Sequence, residues 1–100
     1  MNLDSLFEPE AKAEFFDSIV WYEKQSPGLG KEFADEVLRA VDRAALQPER
    51  FRKMRSGAGV VRLKRFKAFS IYFAIRGDVF TVLAVFHASR NPAYLKRRLQ

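Results

Sequence analysis

The sequence contains no cysteine, which removes disulfide frameworks, cysteine-based zinc sites, iron–sulfur clusters and thiol catalysis from consideration. Histidine is almost as scarce. His87 stands alone, so a multi-histidine metal site is excluded too, and neither metal nor cofactor is expected. No stretch approaches the ~18 consecutive apolar residues of a membrane span. The N-terminus carries Asp4 and Glu8 and lacks a basic segment ahead of an apolar one, unlike a secretory signal. The expectation is therefore a cytoplasmic protein with no membrane partner. There is also no glycine-rich phosphate loop, paired-carboxylate site or serine triad.

What the sequence does contain is apolar and basic. Hydrophobic residues make up 48% and aromatics 14%, with ten phenylalanines, enough for one packed domain over residues 1–100. Charge is strongly segregated. Residues 1–49 hold five basic and eleven acidic side chains, whereas residues 50–100 hold thirteen basic ones against Asp78 alone; the halves, at −6 and +12, give the net +6. A basic half of this kind attracts polyanions or acidic proteins, unless the acidic half neutralises it within the fold.

Periodicity orders the elements. Asn2–Phe7 reads as a short strand. Pro9 then opens a helix to about Gln25, with Ala11, Phe15, Ile19 and Tyr22 on one stripe that Phe16, Val20 and Trp21 widen; the aromatics at 15, 16, 21, 22 and 33 are expected in the core. Ser26–Gly30 is a turn, and Phe33, Val37 and Val41 mark a second helix that stops before Pro48. So short a connection folds the two helices back as a hairpin. A basic connector, Glu49–Gly59, precedes a switch to period two. Val60–Phe66, Phe69–Arg76 and Val79–His87 read as strands, with Gly77-Asp78 as a hairpin turn rather than part of an Arg-Gly-Asp adhesion motif. Asn91-Pro92 caps a short terminal helix containing Tyr94, Leu95 and Lys96–Arg98. The expected architecture is α+β, in the order β-α-α-β-β-β plus the terminal helix, with the helical hairpin on an antiparallel sheet.

The Gly77-Asp78 turn sets a register in which Phe73 faces Val82 and Phe69 faces Phe86. Phe69, Ile71, Phe73, Ile75, Phe80, Val82, Ala84 and Phe86 then share the face under the helices. Ser70, Tyr72, Ala74, Thr81, Leu83, Val85 and His87 share the other, and Arg62 and Lys64 extend it into a cationic concavity around His87, with Arg90 at its rim. Such a cluster can stabilise a phosphate while a His or Tyr moves a proton in RNA cleavage, or it can grip an acidic surface. Each residue also has a structural reading: His87 as a packed strand end, Arg90 as a contact to the chain terminus, and Arg62 and Lys64 as a solvated strand face. Lys96–Arg98 likewise complements the negative end of its own helix.

Trp21-Tyr22-Glu23, Pro27-Gly28-Leu29-Gly30 and Phe33, followed by Arg62, Phe69–Phe73, the Gly-Asp turn, Val82–Val85 and His87–Pro92, together resemble the RelE/ParE toxin superfamily over nearly the whole chain. The resemblance implies a toxin of a type II toxin–antitoxin pair, held inactive in a hetero-oligomer by its antitoxin. ParE-like members bind and inhibit DNA gyrase; RelE-like members cut messenger RNA on the ribosome. The Trp-Tyr-Glu and Pro-Gly-Leu-Gly elements lean to the ParE, or plasmid-stabilisation, branch. Ala68 stands where a proline often precedes the middle-strand aromatic, and Tyr94 follows Arg90 more closely than a RelE-type tyrosine would. The resemblance thus implies target or partner binding through Arg62, Lys64, Tyr72, His87, Arg90 and Arg97. In the ribonuclease alternative, Arg62 and Arg90 hold the phosphate while His87 or Tyr94 transfers the proton. A third reading is a module without activity, or a nucleic-acid binder using the basic half.

Overall fold

In the computed structural model, which describes residues 4–99, strand β1 (Asp4–Phe7) leads into helices α1 (Pro9–Gln25) and α2 (Leu29–Leu46). A single 3-10 turn (Pro48–Arg50) and a two-residue strand β2 (Arg52–Lys53) follow, then β3 (Gly59–Arg62), β4 (Phe69–Arg76), β5 (Val79–His87) and helix α3 (Pro92–Leu99). Asn2 and Leu3, expected in the first strand, lie outside the described residues. The sheet order is β1-β5-β4-β3-β2, antiparallel throughout except that β1 runs parallel to β5. The expected α+β class and helical hairpin on a sheet are therefore present.

The turn between the helices shows why the Trp-Tyr-Glu and Pro-Gly-Leu-Gly elements accompany each other. The Glu23 carboxylate, at the end of α1, accepts hydrogen bonds from the N–H groups of Gly28 and Gly30 at 3.0 and 3.1 Å. It thereby caps the first turn of α2, whose backbone donors have no partner within the helix. Gly30 is required there because a Cβ would come within 2.6 Å of the Ile19 carbonyl. Glycine thus lets the first turn of the second helix pack directly against the backbone of the first.

The main core lies between the hairpin and one sheet face: Phe15, Phe33, Val37 and Val41 meet Ile71, Phe73, Phe80 and Val82. Two of the aromatics expected there are elsewhere. Phe16 and Trp21 are 52% and 57% exposed, because α1 buries only the Ala11–Phe15 side of a stripe too wide for one contact. β3 ends at Arg62 instead of Phe66. Arg65 is drawn to α2, its N–H bonding Glu36 and its guanidinium pairing with Glu32, while Leu63 and Phe66 are buried. β2 carries no apolar alternation and so left no periodic signal.

The β4–β5 register corrects the expected assignment of faces. Phe73 faces Val82 as anticipated, but Tyr72 faces Ala84, leaving Leu83 as a bulge, and Phe69 faces His87 rather than Phe86. An inserted residue reverses alternation beyond it. Val85 and His87 therefore lie on the hairpin side. Ala84 and Phe86 turn to the opposite face, where they form a second cluster with Leu95 of α3, and Tyr72 and Leu99 pack against it.

Gly59 sits across from Phe73, and a Cβ there would reach 2.2 Å from the ring. Gly59→Ala is expected to lower stability by about 2 kcal/mol in urea denaturation through overpacking. Combining it with Phe73→Leu should cost less than the sum of the two single changes, since the smaller side chain vacates the contested space.

Candidate functional site

β1 pairs with β5 only as far as Phe7 opposite Val82, where the Glu8 N–H bonds the Val82 carbonyl at 3.0 Å. β5 continues to His87, so backbone groups on that edge need other partners. Two side chains supply them. Glu14 Oε1, from α1, accepts the Val85 N–H at 3.0 Å, and Arg98 Nη2, from α3, donates to the Leu83 carbonyl at 2.6 Å. The same two side chains form a bidentate pair, at 2.7 and 2.8 Å, and Arg90 adds a further contact to Glu14 Oε2.

Glu14 and Arg98 are only 10% and 13% exposed. Burial alone would push the Glu14 carboxyl upward. Hydrogen bonds from Arg98, the Val85 N–H and Arg90 outweigh it, so the carboxyl titrates below its ordinary value. The hydrogen bond to Glu14 correspondingly raises Arg98.

Beyond this cluster an open groove runs between α1 and the ends of β4 and β5. Its polar half, about 450 Å³, is walled by Glu14, Arg90, Arg98 and His87; its apolar half, about 550 Å³, by Trp21, Tyr22, Phe69 and Ser89, with His87 common to both. Burial pushes the Tyr22 phenol up, consistent with this apolar wall. The His87 ring stands edge-on to Phe69 at 4.9 Å. Its Nδ1 accepts the Ser89 N–H at 3.0 Å, with Ser89 Oγ at 2.8 Å. A backbone N–H only donates, so Nδ1 is the acceptor and the neutral ring carries its proton on Nε2.

The other expected site residues are not gathered around His87. Arg62 and Lys64 line a separate shallow concavity of about 460 Å³ with Leu63 and Lys67, and Arg62 aligns with Ser70 and Phe86 on the sheet face away from the hairpin. The bulge at Leu83 separates them, having turned His87 to the hairpin side. Tyr72 is half-buried against the α3 cluster. Tyr94 and Arg97 stack at 5.0 Å and share a neighbouring cleft with Arg90, Arg98 and Glu10. Glu10, Arg90 and Arg98 line both groove and cleft, and the Arg90 guanidinium lies 5.2 Å from the Phe86 ring centroid.

Glu14 and Arg98 were not among the expected site residues. The one signal for Glu14 was a carboxylate beside the buried Ala11 and Phe15; its partner lies 84 residues away. Among the described residues no three His, Asp or Glu side chains converge as metal ligands, and no helix is long and apolar enough to cross a membrane.

A helical hairpin thus closes one face of the five-stranded sheet, and a cationic C-terminal helix packs on the other. Residues 6–92 match the family model of the ParE toxin of the type II toxin–antitoxin system parDE, and the chain belongs to that family. It is similar in structure to a chain of the chromosomal ParDE system from P. aeruginosa, with a TM-score of 0.73 at 15% identity over 87% of this chain and 97% of that one. No curated protein matches it by sequence.

Glu14→Gln is expected to lower stability at pH 7 by about 3 kcal/mol, because it leaves the buried Arg98 with only the more distant, exposed Glu10 as counter-charge. The Glu14 carboxyl is lowered from 4.5 in the folded state, so its stabilisation is complete above that value and is lost as pH falls through the lower, folded one. Denaturation series from pH 7 to pH 3 should therefore fall less steeply for Glu14→Gln than for the natural sequence.

Proposed function

We propose that this ParE-type toxin arrests growth by binding DNA gyrase in the cytoplasm, without acting as a nuclease, and that a cognate antitoxin neutralises it as a hetero-oligomer. The observation carrying this choice is that the groove's catalytic candidates are already engaged. RNA cleavage through the 2′-hydroxyl needs a base with a free lone pair and cations able to meet the phosphate. The His87 Nδ1 lone pair is taken by Ser89, and both Arg90 and Arg98 are held on Glu14. Arg62 lies on the other side of the sheet, and Tyr94 is not among the residues lining the His87 groove.

Inhibition by binding asks instead for an exposed, complementary surface. α1 offers Phe16, Val20 and Trp21, each more than half exposed, as a contiguous apolar stripe. Large aromatic side chains of this kind anchor protein interfaces. The structural match comes from a ParDE system, which supports an antitoxin as a partner, and the exposed stripe is the surface it would cover.

The purified chain is expected to inhibit gyrase supercoiling, and its expression without antitoxin should arrest growth while transcripts on translating ribosomes stay intact. His87→Ala should remain toxic. Loss of full-length transcripts with gyrase unaffected would replace this reading with ribosome-dependent messenger RNA cleavage. Antitoxin binding should shift the emission of Trp21, the sole tryptophan, to shorter wavelength, and Phe16→Ala should weaken that binding about tenfold.

A further inference from the structure

We propose that the turn joining β3 to β4 is a docking site for the phosphate backbone of duplex DNA. Its sequence, Arg62-Leu63-Lys64-Arg65-Phe66-Lys67, sorts into anchors and free cations. Leu63 and Phe66 are buried. Arg65 is tied to α2 through Glu32 and Glu36, and the Leu63 N–H bonds the Phe69 carbonyl at 3.1 Å. These contacts hold the turn in one shape. They also leave Arg62, Lys64 and Lys67 exposed around one shallow concavity of about 460 Å³ floored by Leu63.

Among the described residues none of these three cations is in an ion pair, in contrast to Arg65, Arg76, Arg90 and Arg98. Of the two carboxylates at the turn, Glu32 is neutralised by the Arg65 guanidinium, and Glu36 is occupied by the Arg65 backbone N–H. Three exposed cations on a fixed turn, without ion-pair partners, suit successive phosphates, whose condensed counterions they would release.

The surroundings separate duplex DNA from other polyanions. An acidic protein surface would need apolar anchors at its centre, yet none of the large exposed apolar side chains falls between Gly59 and Ser70. Single-stranded nucleic acid would need aromatic platforms for its bases, and Phe66 and Phe69 are buried. What remains is contact with a regular phosphate backbone, independent of sequence. The inference stands apart from the choice of gyrase as target, since DNA contact is measured with no topoisomerase present.

The test is fluorescence anisotropy of a labelled 20-base-pair duplex titrated with the full chain between 50 and 200 mM salt. Three phosphate contacts predict a loss of affinity of about 40-fold across that range. The triple variant Arg62→Ala, Lys64→Ala, Lys67→Ala should bind at least tenfold more weakly at 50 mM and respond less to salt, with an unchanged melting temperature. A second triple variant, Lys12→Ala, Lys24→Ala, Lys31→Ala, removes the same charge from the hairpin and should bind as the natural sequence does. Equal weakening by both variants would show attraction by net charge alone and overturn the proposal. So would absence of binding at 50 mM, competition by a polyglutamate peptide as strong as by duplex, or tighter binding of the single strand.

Discussion

Where β1 stops and β5 goes on, a carboxylate and a guanidinium stand in for the missing strand. Glu14 accepts from the Val85 N–H, Arg98 donates to the Leu83 carbonyl, and the two complete each other's hydrogen bonding. Taking both charges out of water is costly, and it is offset only because the pair is bidentate and the backbone satisfies the remaining positions. The arrangement fixes α1 and α3 against the same edge, which places the walls of the groove around His87. It also closes part of β5 to strand addition by another chain, a hazard of any unpaired edge.

This closure bears on function. Arginines that look available in the sequence are engaged by structure, Arg90 and Arg98 both pairing with Glu14 at the groove wall. Two of the exposed surfaces differ in character. α1 shows an apolar aromatic stripe suited to a protein, and the β3–β4 turn shows cations without partners.

Much of the architecture was legible from local pattern. The helices, the Gly77-Asp78 turn and the Asn91 cap depend on contacts within a few residues, and all three appear as expected; Asn91 Oδ1 accepts the Ala93 N–H at 2.9 Å. The bulge was not legible. Val79–Phe86 is apolar at nearly every position, so alternation carries no information about which residue is inserted, and a slip at Leu83 leaves no trace in composition. That one residue moved His87 away from Arg62 and divided the expected cationic concavity. The exposure of Phe16 and Trp21 was hidden for a related reason: a wide apolar stripe does not say which part of it a single neighbour will cover.

By itself the amino-acid order determined the helices, the main hairpin, the fold class and the family, because hydrophobic period, turn residues and caps act over a few neighbouring positions. Tertiary structure alone decided which cations remain free. Whether an arginine meets a carboxylate depends on side chains brought together from opposite ends of the chain, as with Glu14 and Arg98, and nothing in the local sequence of either residue specifies that meeting.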